Sequence, residues 1–221
     1  MIITIDGPAG SGKSTAAREL AKALGIAFLD TGATYRAVTL KALRAGANLE
    51  DAAALAAVAR SARIRFQTTP RGQLRVLLDG RDVSADIRLA EVTDNAHYAA
   101  RAAEVRGVLV DLQRRIGAEM GSFVTEGRDQ GSVVFPRAEF KFYLDASPEV
   151  RARRRCAEML ADGQQADYDQ ILQAIGVRDQ RDRERAVSPL KRPEGAIEID
   201  TTSLTIPEVI ETLRQYVEAR R

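Results

Sequence analysis

One cysteine and one histidine are all that this 221-residue chain offers to thiol or soft-metal chemistry. Cys156 standing alone excludes an internal disulfide and a thiolate metal cluster, the usage expected of a cytoplasmic protein. Its neighbours Arg153, Arg154 and Arg155 would favour a thiolate, but a lone cysteine is by default a packing residue. His97 has no partner ligands at metal spacing, so it reads as packed or solvent-facing, with a substrate contact as the lesser alternative. No apolar run approaches the roughly 20 residues that span a membrane. Met1 belongs to the first expected strand, so no leader is expected either. A net charge of +2 is too small to draw nucleic acid or an anionic surface by itself. Repeats and low-complexity segments are missing as well.

What is present begins at once. The apolar run Ile2-Ile3-Thr4-Ile5-Asp6 leads into Gly7-Pro8-Ala9-Gly10-Ser11-Gly12-Lys13-Ser14-Thr15, and that leads into a helical pattern. The middle stretch fits Gly-x-x-x-x-Gly-Lys-[Ser/Thr], a phosphate-binding loop, and it stands between a strand and a helix as that loop requires. Backbone N–H groups curl into an anion cradle at the positive end of the helix. Lys13 adds a mobile charge for the β and γ phosphates, and the Ser14 hydroxyl suits Mg²⁺. The competing reading is an ordinary glycine-rich turn.

The rest alternates between helix and strand. Ala17, Leu20, Ala21 and Leu24 share a helix face that ends at Gly25, and residues 26–29 read as a buried strand delivering Asp30-Thr31-Gly32-Ala33-Thr34-Tyr35-Arg36 to a sheet edge. Thr31 is the expected N-cap of a helix running to about Ala45. A small helix is expected over 51–61. Residues 63–67 and 73–78 then alternate with a period of two around the turn Pro70-Arg71-Gly72, and residues 80–83 continue as a third short strand. One helical stretch is expected from Leu89 to Met120.

Two further buried strands, 123–125 and 140–144, end in Glu126-Gly127-Arg128-Asp129 and Asp145-Ala146. Their carboxylates suit either magnesium ordering or substrate contact, and the residues alone do not separate the two. Ser147 and Pro148 open a helix to about Leu160, and another starts near Asp167. Its apolar stripe of Tyr168, Ile171 and Ile175 continues by helical steps onto Arg178, Asp182 and Arg185, which is expected of an end that faces a polar cleft, the alternative being a salt-bridged surface helix. A strand at 196–200 and a helix opened by Thr205 and Glu208 at capping-box spacing complete the chain. The spacing implies a phosphate-loop α/β protein with five core strands. The GTPase specificity run Asn-Lys-x-Asp is missing, which favours a kinase of a small acceptor over a switch protein.

Four runs carry a resemblance: Gly7-Pro8-x-Gly10-x-Gly12-Lys13, Asp30-Thr31-Gly32-Ala33-x-Tyr35-Arg36, Glu126-Gly127-Arg128-Asp129-x-Gly131-Ser132-Val133-Val134-Phe135-Pro136, and Arg178-Asp179-x-x-Asp182-x-x-Arg185-x-x-x-Pro189-Leu190. Together they resemble the bacterial cytidylate kinases, and the likeness extends through essentially the whole chain. It implies an α/β P-loop nucleoside monophosphate kinase with a five-stranded parallel sheet flanked by helices, an inserted antiparallel β lobe and a helical lid. In one domain it implies a core at about 1–35, 100–150 and 193–221, an acceptor-binding insertion at about 36–99 and a lid at about 151–190. The implied reaction moves the γ-phosphate of ATP, with Mg²⁺, to CMP or dCMP in pyrimidine nucleotide metabolism. The balanced charge and the lack of a long apolar run fit a cytoplasmic monomer, and no nucleic-acid or membrane partner is expected.

By position, the resemblance places ATP on Gly7, Pro8, Ala9, Gly10, Ser11, Gly12, Lys13, Ser14 and Thr15, and Mg²⁺ on Ser14. Lys13, Arg128, Arg154 and Arg155 would offset charge on the transferring group, with Arg151 a further candidate. Tyr35, Arg36 and Arg128, joined by Arg185, would hold the acceptor phosphate, Arg178 and Asp182 would approach its sugar, and Arg106 and Asp129 would read the cytosine; Asp30, Thr31 and His97 are further substrate-binding candidates. His97 stands where the family usually has a serine contacting the base, and Gln130 where an apolar residue is common. The alternatives are a kinase for UMP, AMP or another small acceptor, and an ATP-gated nucleic-acid-binding module.

Overall fold

Five short apolar runs become the five strands of one sheet, in the order β2-β6-β1-β7-β8. They are β1 (Ile2–Asp6), β2 (Ala27–Asp30), β6 (Phe123–Gly127), β7 (Phe140–Asp145) and β8 (Ile197–Asp200). The computed structural model describes residues 1–68, 74–161, 163–185 and 187–220. By its contacts the chain divides into two units, Met1–Leu29 with Ser122–Arg221, and Asp30–Gly121.

In the first unit β1 is central and parallel to β6 and β7, and β7 is parallel to β8. Ile3, Thr4, Ile5 and Asp6 are all fully buried, because a parallel strand covered on both faces has no solvent side. Helix α1 (Lys13–Leu24) turns Ala17 and Leu20 inward, and α8 (Ile206–Glu218) turns Leu213 and Val217 inward, against Ile3, Ile5, Phe142 and Leu144. The expected capping box forms, with the Thr205 N–H donating to Glu208 Oε2 at 2.7 Å. Parallel pairing sends the strands' C-terminal ends to one edge, where Asp6 pairs with Gly127 and Asp145 with Asp200. Two helices leave that edge. In α6 (Pro148–Ala161) the Val150 N–H donates to Ser147 Oγ at 3.3 Å, and α7 (Tyr168–Glu184) is capped by Asp167, which accepts from the Gln170 N–H at 3.0 Å.

The second unit has its own core, in which Val38, Leu55, Ile64, Val76, Leu78, Ile87, Val105 and Leu109 pack together. Around it lie α2 (Thr31–Arg44), α3 (Ala52–Ser61), the antiparallel strands β3 (Ile64–Thr68), β4 (Leu74–Leu78) and β5 (Arg81–Asp82), then α4 (Ala90–Arg101) and α5 (Ala103–Met120). The expected turn at Pro70-Arg71-Gly72 lies outside the described residues.

Two expectations change. Asp30, not Thr31, caps α2: its Oδ1 accepts from the Ala33 N–H at 3.0 Å, while Thr31 is already helical. A carboxylate at the cap reaches the third N–H of the first turn, which suits aspartate at least as well as threonine. The single helix expected from Leu89 to Met120 is two, because Ala102 adopts an extended backbone (ψ 113°) between α4 and α5.

Candidate active site

The loop after β1 must have glycine at residue 7, since a Cβ there would stand 2.0 Å from the carbonyl oxygen of Leu144. Beyond the loop, Lys13 and Ser14 open α1. Lys13 is 5% exposed, and its ammonium donates to the Pro8 carbonyl at 3.0 Å and lies 4.0 Å from Glu126 Oε2. Burial, then the nearby Arg128, bring its pKa down to about 7, against the opposing pull of Glu126. The Ser14 hydroxyl donates to Glu126 Oε1 at 3.0 Å, so one carboxylate from the end of β6 addresses both residues.

Arg128, one step past β6, donates Nε–H to Asp182 Oδ2 at 2.7 Å. Arg185 Nη2 lies 3.9 Å from the other oxygen of that carboxylate. Burial pushes the Asp182 pKa up, but Arg128, Arg185 and Arg178 outweigh it and hold the group below the usual carboxylate range. The same Arg128, Arg178 and Asp182 act electrostatically on Lys13. Four cations thus converge on the loop side of the sheet edge around two carboxylates, Glu126 and Asp182. The charged end of the α7 stripe accordingly faces a polar site.

The other expected residues of this unit are placed differently. Arg154 donates to the Thr201 hydroxyl at 3.0 Å, the Thr201 carbonyl at 2.6 Å and the Leu204 carbonyl at 3.2 Å, closing onto the loop after β8. Arg155 is half-exposed on α6 and pairs with Glu158 at 3.4 Å. Arg151 turns inward instead, away from the exposed Arg153. Asp129 is buried, with Asp6 among its electrostatic neighbours.

Within the second unit, Asp30 Oδ2 accepts from Arg36 Nη2 at 3.0 Å and lies 3.7 Å from Arg88. Thr31 is buried in the first turn of α2, and its carbonyl accepts the Thr34 hydroxyl at 2.7 Å. Arg106 is 3% exposed, and its guanidinium lies 5.7 Å from the ring centroid of Tyr35 and donates to the Ala100 carbonyl at 3.4 Å. His97 is exposed, its Nδ1 2.7 Å from the Asp94 carbonyl and its ring 4.1 Å from that of Tyr98.

A cationic cluster at the strand edge, behind a glycine loop, is a phosphate-handling arrangement, and the comparisons with known proteins name the kind. Residues 3–219 match the family model described as cytidylate kinase. The chain belongs to the cytidylate kinase family. It is an ATP-dependent kinase of CMP or dCMP. A cytidylate kinase of Desulforamulus reducens is 49% identical over 98% of this chain and 96% of its own length, and one of Exiguobacterium sibiricum is 48% identical over the same shares. Among solved structures, TT1252 of Thermus thermophilus matches with a TM-score of 0.50 at 22% identity, covering 100% of this chain and 97% of the other, which is a likeness of fold.

For a cytidylate kinase, this edge has three further supports, Asp6, Gln130 and Thr201, to which the sequence reading assigned no structural role. Asp6 accepts from the Gln130 N–H at 2.7 Å and the Gly131 N–H at 2.8 Å, fastening β1 to the π-helical turn Gln130–Val134. Burial lifts the Asp6 pKa to about 7 despite those two donors. Gln130 is buried, and its Oε1 accepts the Thr125 hydroxyl at 3.2 Å, so the polar side chain is satisfied inside the core. Thr201, 1% exposed, donates to the Ser11 carbonyl at 3.2 Å and the Asp145 carbonyl at 3.0 Å while accepting from Arg154. Gln130 stands at an open position of one of the four runs and finds Thr125 five residues away. Asp6 and Thr201 depend on partners up to 124 and 190 residues distant.

Proposed function

We propose that residues 7–15 hold the triphosphate of ATP and that Arg128, Arg178 and Arg185, with Tyr35 and Arg36, hold the phosphate end of CMP or dCMP. The observation that carries this reading is the convergence of Lys13, Arg128, Arg178 and Arg185 on Asp182 and Glu126, which leaves surplus positive charge for phosphate oxygens. Arg106 and Asp129 read the base. Cytosine offers its amino group to a carboxylate and its acceptors to a guanidinium, whereas uracil presents a carbonyl and an N–H at those places. Unmatched buried polar groups then reject uracil. Residues 36–99 serve as the acceptor lobe and 151–190 as the lid, on a core of 1–35, 100–150 and 193–221.

The acceptor phosphate is anionic and supplies its own nucleophilic oxygen, so alignment and charge neutralisation suffice and no general base is required. Lys13 steadies the transferring group, and Arg154 and Arg155 are the lid arginines proposed to join it once donor is bound. Ser14 Oγ, backed by the Glu126 carboxylate, fits a magnesium ion carried in on the triphosphate. When bound, the ion neutralises phosphate charge. The enzyme is further assigned to the cytoplasm as a monomer, with a light-scattering mass of 24.1 kDa as the check.

Turnover with ATP on CMP, dCMP, UMP and AMP tests the assignment. CMP and dCMP should exceed UMP and AMP by about 100-fold in kcat/KM, as expected where a site pairs polar groups with its substrate. Comparable rates on UMP would remove the base-reading roles. Salt-sensitive RNA binding without phosphotransfer would replace the kinase reading altogether.

A further inference from the structure

Arg151 is 2% exposed and spends its guanidinium on three different segments of chain. Nε donates to the Ala146 carbonyl at 2.9 Å, Nη1 to the Ala9 carbonyl at 3.1 Å, and Nη2 pairs with Asp179 Oδ2 of α7 at 2.7 Å. Its Cβ also stands 3.0 Å from where a Cβ on Gly10 would be, and Gly10 has φ +77°. Asp179 is also buried, at 5% exposure, and its Oδ1 has no hydrogen-bond partner, so this one ion pair seats the α7 carboxylate. Beside the pair α7 borders an open cavity of about 720 Å³, lined by Asp145, Gln180, Arg183, Glu198 and Asp200 among others, so the helix is not packed into an apolar core on that side.

A buried ion pair is a poor device for stability alone, because desolvation takes back much of what the attraction gives and well-packed apolar side chains do as well. Its position suggests another use. In a trans peptide the C=O and the following N–H point in opposite directions. Holding the Ala9 carbonyl toward Arg151 therefore fixes the direction of the Gly10 N–H, one of the donors from which a phosphate cradle is made.

We propose that Arg151 and Asp179 are positioning residues that make the donor cradle depend on the seating of α7. With α7 seated, Asp179 neutralises Arg151 and the Ala9–Gly10 peptide is held. With α7 displaced, a buried guanidinium loses its counter-charge and the peptide loses its anchor, so donor affinity falls. The inference rests on the reading of residues 7–15 as the ATP cradle.

The test compares Arg151→Gln, Arg151→Ala, Asp179→Asn and Lys13→Ala with wild type in thermal melts, ATP binding and steady-state kinetics. Arg151→Gln should raise the KM for ATP at least tenfold and leave the KM for CMP within twofold. Asp179→Asn keeps the shape and one acceptor, and should give a smaller rise in the same constant. Guanidinium ion at millimolar concentration, entering beside the cavity, should restore part of the ATP affinity of Arg151→Ala. If Arg151→Gln does not fold, Asp179→Asn and the guanidinium rescue decide. A merely structural pair would lower activity only in proportion to the folded fraction, with the KM for ATP unchanged and no rescue, and that result overturns the proposal. ATP binding by Lys13→Ala as tight as wild type would instead overturn the cradle reading itself.

Discussion

Arg128 donates to Asp182 at 2.7 Å, which ties the residue after β6 to the charged end of α7 through a link spanning 54 positions of sequence. The carboxylate does two things there: it holds Arg128 in a fixed orientation, and it relieves the mutual repulsion of Arg128, Arg178 and Arg185 when no phosphate is present. Asp182→Asn removes the charge and keeps the shape. The expected loss in kcat/KM for CMP is about 10- to 100-fold, or about 1.4–2.7 kcal/mol. Because the folded pKa is depressed, the pair's contribution to stability is complete above the ordinary carboxylate range and is lost as pH falls from there through the lower folded value. Melting curves of wild type should therefore show an acid-limb loss that Asp182→Asn lacks.

Lys13 gives a second pH signature. Its folded pKa of about 7 lies below the ordinary 10.5, so the unfolded chain binds the extra proton between those values, and stability from this group rises as pH climbs from 7 to 10.5. Phosphate oxygens favour the ammonium and should return the pKa upward. ATP binding near pH 7 is then accompanied by uptake of about half a proton, a consequence of a group sitting at its midpoint. Calorimetry in buffers of different ionisation enthalpy measures this directly. Proton release, or none, would contradict the placement of Lys13 against the triphosphate, and Lys13→Ala should abolish both the uptake and turnover.

Asp6 works in the opposite sense. Its folded pKa of about 7 lies above the ordinary 3.8, so the folded chain holds the proton longer, and stability from this group declines as pH rises from about 4 to 7. Asp6→Asn abolishes that slope. It also leaves one carboxamide oxygen for two N–H donors and turns an NH₂ toward one of them, a mismatch that costs about 1–3 kcal/mol. For a chain of this size that is a fall in Tm of about 2–12 °C, readable by calorimetry at pH 7, and an unchanged Tm at every pH would remove Asp6 as the fastening of β1 to Gln130 and Gly131.

These residues also mark how far the sequence was readable. The five strands and most helices followed from apolar runs and caps, because such signals are local. The break at Ala102 did not, since Ala100, Arg101 and Ala103 around it are all good helix formers and nothing in their side chains opposes a continuous helix. In the site, the loop at 7–15 announced itself by glycine spacing. The role of Asp6 lay in a partner 124 residues away, and that of Arg151 in a helical register that sends it inward while Arg153 and Arg155 stay outside. In composition these arginines are alike, and only the packed fold distinguishes them.

Arg106 carries the sharpest prediction about the acceptor. The residue is 3% exposed and its guanidinium is close to the face of Tyr35, so a long apolar side chain fills the same space without the donors. Arg106→Met is therefore the suitable change. Truncation to alanine would add a cavity cost to the loss of recognition. The KM for CMP should rise about 30-fold, equivalent to about 2 kcal/mol, while the KM for ATP stays within twofold and the preference for CMP over UMP shrinks. His97→Ser is the natural companion. As His97 is exposed on α4, the exchange should leave Tm nearly unchanged, so any shift in the CMP to UMP ratio reports recognition and not folding. Equal CMP affinity in wild type and Arg106→Met would sink the base-reading assignment of Arg106, because a donor that cytosine uses cannot be removed from a buried site without cost.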